Sequence, residues 1–523
     1  MEGARPDDRI RLAELMAALS LATDLGLGRP LEHELGVCLA ALELADRLGL
    51  APEERSEVYY VALLAHVGCT GAAPYFASWA GGDDIHLVQG MSRLGLGSGP
   101  AEDLPHLIRH LADDRPLPER GRLLARMLTG GERASVLMAA NLCEGASVLA
   151  RRLHMPEAVA LALAQLMERW DGKGLPGRAA GEEIARPMRI VCVAHDLVAI
   201  ARARARDGEA ALGALERRRG RGYDPAVVDA ALAEPAPLLG AAGEPDAWER
   251  VIASEPSPAA TISAAGLASV ARAFGEFGDV KVAFLHGHSS RVAELAATAA
   301  GGLGCSHADA AAIRAAGFVH DVGRVSVPNG IWDKPGPLSA GERERVRLHP
   351  YYTERVLERS RALAPLAPVA GAHHERLDGS GYHRGATAAQ LSLGARLLAV
   401  ADAYDAMTHD RPHRPALAPA AARAALAEDV RAGALDKRAV DAVLEAAGGA
   451  PLRVRQAHPA GLSDREVEVL RLLAHGASNK QIARVLTIAE KTAGHHVEHI
   501  YAKVGVSTRV GAALFAMRHD LVD

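Results

Sequence analysis

The 523-residue chain has no run of about 18 uncharged apolar residues, so neither a membrane-spanning helix nor a membrane partner is expected. Its first residues, MEGARPDDRIRLAEL, mix acid and base and lack the apolar stretch of a secretory leader. Cysteine is scarce: Cys38, Cys69, Cys143, Cys192 and Cys305 stand singly, without paired spacing. That excludes a disulfide or cysteine–zinc framework and points to reduced core thiols in a cytoplasmic protein. Alternating β-branched residues are scarce as well, which argues against sheets. A net charge of -5 excludes little, because a small basic module can sit inside it.

What remains is an apolar, helical pattern. Apolar residues make up 49% of the chain, ample for packed cores, and the length suggests about three domains. Ala-rich stretches with apolar residues three and four apart run almost throughout, so the fold class is expected to be all-α. Two Pro/Gly/Ala stretches, at 236–258 and 448–460, look like linkers. They divide the chain into 1–235, 259–447 and 461–523.

The middle part carries an unusual set of metal-type ligands: His288, His320, Asp321, His349, His373, His374 and Asp402. Imidazole nitrogen and carboxylate oxygen suit borderline divalent ions such as iron, manganese, zinc or nickel. A carboxylate beside a histidine can bridge two ions, and two ions a few Å apart are a standard device for activating water against a phosphoester. In this picture His288, His320, Asp321 and Asp402 hold one ion and His349, His373 and His374 the second. Asp321 bridges them and is the catalytic carboxylate.

The segments around these residues read HSSRVAEL at 288, HDVGRVSVP at 320, KPGPLSAGERERVRLHP at 334, HHERLDGSGYHRG at 373 and ARLLAVADAYDAMTHDRPHRPA at 395. Over roughly 270–420 this series resembles the HD-GYP phosphodiesterases, an all-α branch of the HD superfamily that hydrolyses cyclic di-GMP. The resemblance implies the same seven ligands, two divalent metals and a cyclic di-GMP or related phosphoester substrate, with pGpG or GMP as product. Some relatives have a glutamate four residues before the first histidine and take a third metal. Phe284 stands there in this chain, so two metals are expected. The family places basic residues against substrate phosphate where Arg411 and Arg414 stand, and their planar forks suit phosphate oxygens. Tyr382 is positioned to stack on guanine or bond a phosphate. The chain departs from the family in two places. Arg324 replaces the usual lysine after HDxG, as a catalytic and phosphate-binding candidate, and His383 replaces the proline of GYP.

The first part repeats the second. ERWDGKGLPGRAAGEEIARPMRIVCVAHDLVAI at 168 aligns with ERLDGSGYHRGATAAQLSLGARLLAVADAYDAM at 375, and HELGVCLAALELADRLGL at 33 with HSSRVAELAATAAGGLGC at 288. His33 matches His288, but Ala65-His66 stands for His320-Asp321, Asn141 for His349, Leu166-Met167 for His373-His374, and His195 for Asp402. This degenerate HD-type copy is expected to have lost its metal and to act as a sensor or structural partner. An insertion between Gly68 and Gly145, containing SWAGGDDIHLVQG, separates it further from its twin.

The third part differs in kind. Ser463 with Glu466 forms a capping box, Val467, Leu470 and Leu473 make an apolar stripe, and Gly476 ends the helix. NKQIARVL makes a short second helix, and 490–504 a third with Val497, Ile500 and Val504 inward. The segment resembles the LuxR-type helix-turn-helix, a four-helix module that binds double-stranded DNA, usually as a dimer on paired half-sites. Lys491, Thr492, His495, His496 and His499 fall on the outer face of the third helix, where a recognition helix meets base edges. Lys480, Lys503 and Arg509 are candidate phosphate contacts. Three functions stay open at this point: a cyclic di-GMP phosphodiesterase coupled to a DNA-binding output, a nucleotide-gated transcription factor with little turnover, and a metal phosphohydrolase for another phosphoester.

Overall fold

The protein is described by a computed structural model covering residues 9–91, 94–99, 102, 105, 116–203, 208–241, 243, 245–452, 458–519 and 521–522. Helices dominate, as expected. Among the described residues the one regular exception is a short antiparallel strand pair, Arg9–Arg11 with Thr261–Ser263, in which Ile10 faces Ile262. The chain forms two compact units, one of Met1–Ser290 with Phe318–Pro368, the other of Arg291–Gly317 with Val369–Asp523. These units cut across the repeat boundaries inferred from composition.

In the first unit the helix His33–Arg47 packs against Pro52–Leu64 and Arg186–Ala203. Helix Leu12–Gly26 is apolar on nearly every side, with Leu15, Met16 and Leu19 fully buried. Such all-round apolarity requires neighbours on every face. They are Pro52–Leu64, the turn Val322–Ser326 and helix His349–Leu357. An 18-residue stretch within Pro52–Ala80 is long and apolar enough to cross a membrane, but 78% of it is buried in protein and the helix breaks between Leu64 and Cys69. Among its described residues the expected linker 236–258 is largely helical. Helices Pro235–Ala241 and Ala247–Ala253 form there because Leu238, Trp248 and Val251 find a core to enter. Of the second expected linker, 453–457 lie outside the described residues.

In the second unit, Val292, Ala296, Leu397, Val400, Leu426, Val430, Val440 and Val443 form one core. Leu470, Ile482, Ala493, Val497, Ile500 and Ala512 form a separate one. That smaller core belongs to helices Asp464–Ala474, Asn479–Leu486, Glu490–Val504 and Arg509–Arg518, the first three as the sequence predicts. The expected stop is present, Gly476 taking φ +86, and Gly505 at φ +69 ends the third helix in the same way.

The repeat is visible in local geometry. Asp24 accepts from the backbone N–H of His33 (2.8 Å) and Glu34, while Asp279 accepts from the N–H and hydroxyl of Ser289 (3.0 and 2.7 Å). Each carboxylate thus caps the helix opened by the matching histidine. Glu168 accepts from Arg178 N–H (2.8 Å), and Glu375 from Arg384 and Ala386 N–H (2.7 and 2.8 Å).

Candidate functional site

Asp321 is the focus of the first unit's site. It follows helix His307–Val319 and enters the turn Val322–Ser326. Thr353 fixes that turn: its hydroxyl donates to His320 O and accepts from Gly323 N–H, both at 2.9 Å. Gly323 is needed there, since a Cβ would lie 2.1 Å from His349 O. Three imidazoles converge on the Asp321 carboxylate. His288 Nε2 and His320 Nε2 lie 3.3 and 3.2 Å from Oδ2, and His349 Nε2 lies 3.2 Å from Oδ1. All four residues are at most 2% exposed. Burial opposes ionisation of Asp321, but the Arg324 guanidinium and the His320 and His288 rings outweigh it and hold the carboxyl well below the usual carboxylate range.

The donor set fits a metal. His349 Nδ1 lies 2.6 Å from Val346 O, and a carbonyl only accepts, so the ring proton sits on Nδ1 and Nε2 presents its lone pair to Asp321. Two lone-pair ligands 3.2 Å apart match the spacing across one ion with bonds of about 2.1 Å. A carbonyl holding the far nitrogen is also the usual outer support of a metal-bound histidine.

Arg324 lies 2.5 Å from Asp321 Oδ2 through Nη2, with its guanidinium carbon 5.0 Å above the Trp332 ring. Its buried Nε and Nη1 make no hydrogen bond. It therefore orients Asp321 and keeps two donors that suit a phosphate oxygen.

In the second unit, His373 Nδ1 lies 2.7 Å from Ala370 O, so its Nε2 is fixed as an acceptor in the same way. The His373 and His374 rings are 4.2 Å apart, and His374 Nδ1 lies 3.7 Å from Asp402 Oδ2. The Tyr382 ring sits 4.7 Å from His374. Gly381 permits this close loop, because a Cβ would come within 2.5 Å of Glu375 Cα and Arg376 N. Gly174 meets the same crowding in the first copy.

Not every sequence candidate is available. Arg414 Nη2 donates to Ala406 O (2.5 Å) and Nη1 to Met407 and Pro415 O (3.2 and 3.3 Å), so its fork closes the end of helix Leu393–Thr408. Arg411 and Arg414 exchange backbone hydrogen bonds in a tight turn. Lys503 Nζ is held by Glu466 (2.6 Å) and Gly461 O (3.0 Å), inside the helix-turn-helix and not toward a phosphate. Lys480, Lys491, Thr492, His495 and His499 are exposed, while His496 and Arg509 are half-buried. Sequence reasoning missed Thr353 and Trp332, whose roles depend on contacts across the fold.

The HD domain family matches residues 137–227 and 279–438, and the luxR family of bacterial regulatory proteins matches residues 460–516. A 3'3'-cGAMP-specific phosphodiesterase of Vibrio cholerae is 32% identical over 412 residues, 78% of this chain and 88% of that protein. A cyclic di-GMP phosphodiesterase of Pseudomonas aeruginosa is 46% identical over 100 residues, 19% of this chain and 24% of its own. The crystal structure of a cyclic GMP-AMP specific phosphodiesterase from V. cholerae covers 84% of this chain and 98% of its own, with a TM-score of 0.57 at 27% identity.

Proposed function

Since this chain belongs to the HD-domain phosphodiesterases and carries a luxR-family DNA-binding module, we propose that it hydrolyses a guanine-containing cyclic dinucleotide and uses the same chain to regulate transcription. Residues 259–447 are the catalytic part, 1–235 a sensory or structural copy, and 461–523 the DNA-binding part. The observation that carries this reading is the convergence of three buried imidazoles on Asp321. Cyclic di-GMP and 3'3'-cGAMP, the substrates in the relatives' names, share a guanylate half, and this chain is assigned to cleave one or both.

His288, His320, Asp321, His349, His373, His374 and Asp402 are the ligands assigned to two divalent ions. Bound metals supply a water acidic enough to be a nucleophile near neutral pH and neutralise phosphate charge. The protein supplies the rest. The Val346 and Ala370 carbonyls fix the proton positions of His349 and His373, so neither ring needs to reorient. Arg324 holds Asp321 with Nη2 and offers Nη1 to a phosphate oxygen. Tyr382 presents a ring edge or hydroxyl to the nucleotide.

Val510, Leu514 and Met517 are 68, 60 and 58% exposed at i, i+4, i+7 spacing on helix Arg509–Arg518. That apolar stripe supports pairing of two chains on double-stranded DNA. The reduced cysteines and the DNA-binding module support a cytoplasmic location.

The test is turnover of each cyclic dinucleotide by anaerobically purified full-length protein, with metal content measured on the same sample. Hydrolysis accompanied by bound metal is expected. Bound metal with neither nucleotide cleaved overturns the substrate assignment.

A further inference from the structure

The first repeat lacks counterparts of His320, His373 and His374, yet its helices bring a different ligand set together. His33, Glu34 and His195 each present one ligand atom, and these lie within 4.8 Å of one another. Their exposures are 3, 0 and 2%. Glu34 stands where the second repeat has Ser289, so aligning the copies gives no hint of it.

The polar atoms at this centre are poorly accounted for by the protein alone. His33 Nε2, His195 Nε2 and Glu34 Oε2 are buried without a hydrogen bond. Buried polar atoms are rarely left so, because they lose water and gain nothing in return. The surrounding contacts explain which lone pairs are presented. His195 Nδ1 lies 2.8 Å from Asp196 Oδ1, which places its proton there and leaves Nε2 as an acceptor. Asp196 is itself anchored by the N–H groups of Leu96 (2.7 Å) and Gly97 (2.9 Å) and by Tyr223. This carboxylate–histidine arrangement is the usual support of a metal-bound imidazole. Glu34 Oε1 is held by Arg29 and faces His66 Nδ1 at 3.0 Å, so Oε2 is the oxygen left over.

We infer that Glu34 Oε2 and the Nε2 atoms of His33 and His195 bind one divalent cation in the first repeat. Two imidazoles and one carboxylate select a borderline ion such as zinc or iron over calcium or magnesium. Arg202 competes with it. Arg202 Nη1 lies 3.1 Å from His33 Nδ1, and a guanidinium only donates, so the His33 proton now sits on Nε2. Metal binding at Nε2 moves that proton to Nδ1 and separates His33 from Arg202. The site thus has two states, distinguished by one arginine contact on helix Arg186–Ala203.

The test uses the full chain with the other centre disabled by Asp321→Asn and His373→Asn, titrated with Co(II) and read by its visible ligand-field bands. A single equivalent is expected to bind, Glu34→Gln and His195→Asn each to abolish the bands, and Arg202→Gln to tighten binding about tenfold by removing one competing hydrogen bond. Arg202→Gln removes no ligand, so a tighter site cannot be ascribed to misfolding. Absence of bands in the disabled background, their survival in Glu34→Gln and His195→Asn, or unchanged affinity in Arg202→Gln overturns the three-ligand assignment. Failure of the phosphodiesterase reading leaves all of these results unaffected.

Discussion

Lys281 and Asp84 form an ion pair of 2.8 Å with only 1 and 2% of their side chains exposed. Asp84 belongs to the segment inserted in the first repeat. Its other oxygen accepts from Asn329 N–H (2.7 Å), and Asn329 Nδ2 donates to Lys281 O (2.7 Å). Gly330 N–H meets Gly82 O at 2.7 Å, an approach that side chains would block. The insertion therefore docks on the chain that follows the HD dipeptide. Breaking a buried pair from one side strands a charge. Lys281→Met or Asp84→Leu alone should cost about 3–5 kcal/mol, and the double variant much less. Urea unfolding midpoints of the three variants decide it.

Asp321→Ala removes the group on which His288, His320, His349 and Arg324 converge. Bound metal and hydrolysis should both disappear, while operator binding by the full chain persists. Metal analysis and a gel-shift assay on one preparation report both. Retained hydrolysis would remove Asp321 from the chemistry.

Thr353→Val keeps volume but deletes both bonds that tie His320 O and Gly323 N–H to helix His349–Leu357. A loss of about 1–3 kcal/mol in stability is expected from the stranded backbone groups. Metal affinity should fall roughly 10- to 100-fold, the usual range for an outer support. Competition with a chromophoric chelator measures it.

Gly381→Ala should abolish turnover with metal content unchanged, since its Cβ would strike Glu375 and Arg376 backbone and displace Tyr382. Gly336→Ala, where a Cβ meets nothing within 4 Å, is the matched control and should be neutral. Equal activity of the two variants would show that the loop yields.

Lys491 and Lys503 should behave differently. Lys491→Ala should weaken DNA binding and reduce the slope of log K against log salt by about 1. Lys503→Ala should leave that slope unchanged and loosen the module through Glu466 instead. Burial opposes ionisation of Glu466, but Lys503 and the Ser463 cap outweigh it and lower its pKa below the usual 4.5. A depressed carboxylate stabilises the fold above its unfolded pKa, and that contribution is lost as pH falls through the folded value. Thermal melts below about pH 4.5 should therefore drop less in Glu466→Gln than in the parent.

The sequence by itself determined whatever depends on near neighbours. Capping boxes at Ser463–Glu466 and Ser478–Gln481 join residues three positions apart, and the helices they open run as the pattern predicts. The HD and HH pairs and the helix-turn-helix were legible because each motif is written in one short stretch, and the repeat because its two copies match segment by segment. Only the tertiary structure decided which side chains are free to act. Arg414 and Lys503 carry the right charge for phosphate, yet carbonyls and a carboxylate folded beside them take their donors. Glu34 looks like an ordinary helix residue until burial brings it to His195, 161 positions away in the 523-residue chain. Asp84 and Lys281 find each other across 197 positions. Local hydrogen bonds and periodicity act within a few residues and so are written in order. Desolvation and ion pairing depend on what the finished fold places alongside, and no linear pattern records that.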